Sequence, residues 1–183
     1  MKKEGQHHFS TTRIFQVKDK KKPTYRKPVA VKYLEELALE AKKKKYPSIP
    51  ILYLAVPKYR DDSANNLTRC IIDFLRLKSH QAERISTTGR PVDRTKTFID
   101  VLGHQRTIGR IEWIKGNGTN GSADISATIA GKSVKIEVKT GRDFQSKAQI
   151  EYQKSIISAG GLYVIAKDFT SFLSWYNLQF NKP

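Results

Sequence analysis

The sequence predicts an α/β domain with a mixed central sheet flanked by helices, preceded by a basic N-terminal extension. Three observations predict it. Residues 121–140 (GSADISATIAGKSVKIEVKT) alternate apolar and polar side chains on either side of a turn, which is the pattern of a β-hairpin. A helical pattern after Ser146, stopped by Gly160-Gly161 and followed by the apolar run Leu162 to Ala166, makes a strand, helix, strand order that calls for a parallel crossover. Charge is uneven: of 34 Lys/Arg and 17 Asp/Glu, residues 1–60 hold 16 and 5. The extension is therefore placed at residues 1–60 and the α/β body at residues 61–183.

Taken in order, residues 1–27 are polar and lysine-rich, an arm too poor in apolar residues to fold without a partner. Phe9, Ile14, Phe15 and Val17 could still make a short strand, and His7-His8 reads as a solvated terminus. Residues 28–46 read as a helix. Pro28 suits its first turn, Leu34, Leu37, Ala38 and Ala41 form a docking stripe, and Lys42 to Lys45 complement the macrodipole at its end. Those lysines serve equally well as a solvated helix end or as phosphate contacts. Pro47, Pro50 and Pro57 make residues 47–62 an extended connector whose apolar residues anchor it to the body. Leu67, Ile71, Phe74 and Leu75 are the stripe of a helix capped by Asp62 or Ser63. Residues 82–88 and 108–114 suit strands, and Gly116 to Gly121 is a loop through which a phosphate backbone could approach. It lacks the lysine of a nucleotide-binding P-loop. After Ser146, Tyr152, Ile156 and Ala159 form the buried stripe of the next helix. Asp168 caps a last one, with Phe169, Phe172, Leu173 and Tyr176 on one face.

Several function classes are set aside. Cys70 is the single cysteine and sits in an apolar helical stripe, so it reads as core rather than nucleophile. The four histidines have no zinc-ligand spacing. No apolar run approaches a membrane span and no signal region follows Met1, so a cytoplasmic protein without a membrane partner is expected. The net charge of +17 favours a polyanionic partner, because phosphates reward clustered Lys/Arg through counterion release.

The hairpin carries the chemistry. Val134, Ile136 and Val138 face a core, so Lys135, Glu137 and Lys139 share the other face. A hairpin closed at residues 130–132 brings Asp124 beside Glu137 and Lys139. Two carboxylates at one place repel unless a cation lies between them. A hard divalent cation, Mg²⁺ or Mn²⁺, bound by carboxylate oxygens is the natural partner. Arg90, Arg94, Lys115 and Arg142 are the candidates for holding a nucleic-acid backbone, within a basic stretch that also contains Lys96, Arg106 and Arg110.

The order Gly121-x-x-Asp124, Glu137-x-Lys139, Ser146-x-x-Gln149, then Ala159-Gly160-Gly161 and an apolar strand resembles the VRR-NUC family of the PD-(D/E)XK nuclease superfamily, over residues 64–175. That family is found in phages, bacteria and structure-specific repair nucleases. The resemblance implies a restriction-endonuclease-like core and metal-dependent hydrolysis of DNA phosphodiester bonds. It implies Asp124 and Glu137 as metal ligands, the backbone carbonyl of Val138 as a further ligand, and Lys139 as the residue that orients water. Gln149 would lie near the site, although Ser146-x-x-Gln149 is also a capping box and the two roles are compatible. The sequence departs from the pattern at Ala123, where the superfamily has proline, and at Asn65 and Asn66, where the family often offers a glutamate. The resemblance further implies homodimers acting on branched DNA or junctions. The rival reading is a non-catalytic nucleic-acid-binding protein on a nuclease scaffold.

Overall fold

A computed structural model describes residues 24–86, 89–116 and 118–180. The short strand considered around Phe9 to Val17 and the His7-His8 pair lie outside the described residues. Helix α1 (Val29–Lys45) begins after Pro28, and a 3₁₀ turn (Ile51–Tyr53) follows. Helix α2 (Ala64–Leu77) is capped by Ser63, whose hydroxyl accepts from the Asn66 backbone. Strand β1 (Gln81–Arg84) comes next, then four short strands: β2 (Arg90–Asp93), β3 (Lys96–Ile99), β4 (Gln105–Ile108) and β5 (Ile111–Ile114). Strands β6 (Ile125–Ile129) and β7 (Lys132–Val138) are the predicted hairpin. Ala130 and Gly131, both with positive φ, close it as a two-residue turn. Helix α3 (Lys147–Ser158), β8 (Leu162–Ala166) and α4 (Phe169–Phe180) complete the order.

Among the described residues the main sheet is mixed, in the order β1-β6-β7-β8. β6 runs antiparallel to β1 and β7, while β8 runs parallel to β7 through the α3 crossover. The period-2 pattern holds: Val134, Ile136 and Val138 are buried on one face, where α2 covers the sheet. Helices α1, α2 and α4 also pack on one another. Phe74 lies at the centre of that layer, edge-on to Phe169, Phe172 and Tyr176 at centroid distances of 5.7, 6.2 and 5.0 Å. Val31 and Leu34 of α1 belong to the same hydrophobic core, so the helix of the basic extension is built into the body.

Four local expectations need correction. Of the apolar residues of the connector 47–62, Tyr59 is buried in the core, whereas Ile51, Leu52 and Tyr53 are exposed. The connector is held by Tyr59, whose amide donates to Glu35 and whose hydroxyl donates to Asp73, and by buried Asp61, which accepts from the Tyr25 hydroxyl and the Phe169 amide. Helix α3 has no fully buried residue: Tyr152 and Ile156 are half-buried and Ala159 is exposed. It lies over β8 on the polar face of the sheet, which offers little apolar surface to cover. The strand expected over residues 108–114 is broken at Gly109 into the last residue of β4 and the whole of β5. Gly109 is required there: its φ is +94° and a Cβ would stand 2.2 Å from the Arg94 carbonyl oxygen. Of the strand placed at residues 82–88, residues 82–84 fall in β1 and 87–88 lie outside the described residues.

A candidate metal and phosphate site at the mouth of the hairpin

The site is built where β6 begins and β7 ends. Ile125 pairs with Ile136, so Asp124, one residue earlier, stands opposite Glu137. The backbone carbonyl of Asp124 accepts from Ile85 on the β1 side, and the amide of Lys139 donates to Ala166 on the β8 side. The backbone groups of the Asp124 and Glu137 positions are thus turned away from each other, as in a non-hydrogen-bonded antiparallel pair, where opposite side chains stand closest. The Asp124 carboxylate then accepts from the Val138 amide at 2.8 Å. A strand residue directs its N–H and C=O to the same side, so the Val138 carbonyl also faces the Asp124 side.

Glu137 is only 1% exposed, although it lies on the face that alternation alone would leave to solvent. α3 and β8 cover it. Its Oε1 accepts from Gln149 Nε2 and from Lys139 Nζ at 3.2 Å, and its Oε2 accepts from the Tyr163 hydroxyl at 3.4 Å. Burial, and then the neighbouring Asp124 charge, hold its carboxyl above the ordinary glutamate value despite those donors. Lys139 is 8% exposed and bridges Glu137 and Asp143, each at 3.2 Å. Burial pulls its ammonium down, but the two carboxylates outweigh that and hold its pKa above the ordinary lysine value.

Gln149 makes both contacts considered for it. Its Oε1 accepts from the Ser146 amide and its own amide donates to the Ser146 hydroxyl, closing a capping box, while its Nε2 reaches Glu137. Gly121 makes this possible. Its φ is +76° and a Cβ there would meet the Ala148 backbone at 2.4 Å, so only glycine lets the loop before Asp124 lie against the first turn of α3.

Asp124, Glu137, Val138, Lys139 and Gln149 are therefore brought together. The other candidates are not. Asn65 accepts from Arg84 and Asn66 donates to Asp62. Arg142 is exposed three residues beyond Lys139. Arg90 is exposed and Arg94 is paired with Glu112 at 2.7 Å, both in the segment of β2 to β5 outside the main sheet, and exposed Lys115 follows β5. Cys70 is buried, as expected; burial first, then Asp61 and Asp73, push its thiol up to about 12. Sequence reasoning missed Tyr163 and Asp143. The signal for Tyr163 was present: one polar group in an apolar strand, opposite Lys135 and so on the Glu137 face.

Among the described residues no three His, Cys, Asp or Glu side chains gather around a common point. The donor set here is two carboxylates and a backbone carbonyl, all hard oxygens. It fits a divalent cation of the magnesium type, because a half-buried and a buried carboxylate repel across a gap that one ammonium only partly compensates. No protein-family model matches the chain, and no curated protein matches it. Among the described residues no helix is long and apolar enough to cross a membrane.

Proposed function

We propose that this protein is a metal-dependent nuclease that hydrolyses DNA phosphodiester bonds, with branched DNA as the substrate class to test first. The observation that carries the reading is the meeting of Asp124, Glu137 and Lys139 at one end of a hairpin, with the Glu137 carboxylate disfavoured by its surroundings. Asp124, Glu137 and the Val138 carbonyl would hold Mg²⁺ or Mn²⁺. When bound, the ion would polarise a phosphoryl oxygen and lower the pKa of a bound water.

The chain's own residues have distinct tasks. Lys139 keeps its proton, since Glu137 and Asp143 stabilise the ammonium. It therefore acts as a donor, orienting the attacking water or offsetting charge on the phosphate, rather than as a base. Gln149 fixes the rotamer of Glu137. The net charge of +17 supports a polyanionic substrate.

Incubation with branched, flapped and linear DNA in Mg²⁺ or Mn²⁺ tests the reading. Glu137→Ala and Lys139→Ala are each expected to lower cleavage by about 10²-fold or more. Cleavage that survives either change removes the site. Absence of cleavage, together with DNA affinity indifferent to Mg²⁺ at constant ionic strength, would leave the non-catalytic binding reading.

A further inference from the structure

Strands β2 to β5 are one element. β2 pairs with β5 and β3 with β4 in the same register, with Arg90 opposite Ile114 at the base and Ile99 opposite Gln105 near the tip. The Arg94 amide bonds to the Arg110 carbonyl between the two ladders, so the register is unbroken across the Gly109 bend. The eight paired positions and the Arg94–Arg110 bond between the ladders make a two-stranded ribbon about 30 Å long. Nearly all of its residues are exposed.

Opposed residues share a face, and faces alternate. Counting along this register puts Arg90, Arg94, Lys96, Arg106 and Arg110 on one face and no basic residue on the other. Side-chain contacts agree. Arg94 pairs with Glu112 and Arg106 with Asp100, both within the basic face, while the Thr97 and Thr107 hydroxyls meet at 3.2 Å on the opposite face. Two of the five cations are thereby neutralised. Arg90, Lys96 and Arg110 have no ion pair among the described residues.

The ribbon is joined to the site by both of its ends. It leaves the sheet after Ile85, whose amide bonds to the Asp124 carbonyl, and returns through the loop that leads to Asp124. Both connections of the ribbon therefore lead to the end of the sheet where Asp124 and Glu137 stand, so a backbone held at its base would be delivered there. We infer that the basic face of residues 90–114 is a docking arm for duplex DNA, with Arg90, Lys96 and Arg110 contacting phosphates without regard to sequence. Charge complementarity selects this occupant: three cations without an ion-pair partner among the described residues, on one face of a narrow ribbon, match a phosphate backbone. The inference rests on the nuclease reading for the delivery step, but not for binding.

The test measures binding of a fluorescent duplex in EDTA, where cleavage plays no part, from 50 to 300 mM salt. Arg90→Gln, Lys96→Gln and Arg110→Gln together are expected to weaken binding about tenfold or more and to lower the slope of log affinity against log salt by about 2 to 3. A charge-matched control, Lys32→Gln with Lys132→Gln and Lys154→Gln, should leave the slope within about 1 of wild type. A second variant replaces residues 90–114 with a short Gly-Ser link between the neighbouring chain ends and should bind as the triple variant does. Wild-type slope and affinity in the triple variant would overturn the inference, even if the protein cleaves DNA. So would a wild type that does not bind, or a triple variant that binds normally but changes oligomeric state. Binding that is lost with the ribbon in a protein that never cleaves would sustain the arm and reject the nuclease.

Discussion

Glu137 is a charge placed where its surroundings resist it. The folded chain holds its proton more tightly than the unfolded chain does, because burial and then Asp124 raise its pKa. Stability therefore falls as pH rises from the ordinary glutamate range through the raised value, and the loss is complete above it. Glu137→Gln removes the charge and keeps an oxygen for Lys139 and Gln149. The melting temperature of the variant at pH 7 is expected to exceed that of wild type, the difference shrinking toward pH 4. Mg²⁺ should raise the wild-type value and not the variant's. Equal melting curves at both pH values would count against the buried charge. The two roles of Gln149 separate in the same way. Ser146→Ala loosens only the helix cap, costing about 1 kcal/mol with cleavage retained. Gln149→Ala also takes a donor from Glu137 and should lower activity or metal affinity by about 10- to 100-fold.

At the scale of elements, the hairpin and the crossover were legible because each has one face against a core. Ile125, Ala127 and Ile129 alternate, and so do Val134, Ile136 and Val138, since the buried face selects apolar residues at every second position. The ribbon of residues 90–114 was not legible as a ribbon. Neither of its faces is buried, so nothing forces a hydrophobic period, and the basic residues alternate with threonine instead. The burial of Glu137 was equally hidden, for it depends on α3 folding back over a face that reads as polar. That return depends on Gly121. Gly121→Ala brings a methyl to 2.4 Å from the Ala148 backbone and leaves a positive φ on a residue that resists it. A loss of about 1–3 kcal/mol is expected, with cleavage falling more than in Ser146→Ala because Asp124 follows the displaced loop. Chemical denaturation and single-turnover assays on the same samples check both parts.

For the molecule as a whole, the division of charge does not coincide with a division of packing. Residues 1–60 hold nearly half of the basic side chains, yet α1 supplies Val31 and Leu34 to the core that α2, α4 and the sheet share. The apolar stripe at Leu34 and Ala38 announced a docking helix, but a stripe does not name its partner. Leu34→Ala is expected to destabilise the entire domain by about 2–5 kcal/mol, a large part of the stability of a chain this size. A chain begun at residue 61 should fail to give a cooperative transition. If it melts as sharply as the full chain, α1 is dispensable and the core is smaller than it looks.

Cys70 has a practical corollary. The single cysteine of the chain is sealed on the buried face of α2 with its hydrogen directed to the Arg60 carbonyl, and its high pKa keeps it un-ionised at neutral pH. Maleimide and nitroxide reagents should pass it by. A cysteine introduced at Val101, at the exposed ribbon tip, would then be the one position that takes a label, without first stripping the native thiol from the interior.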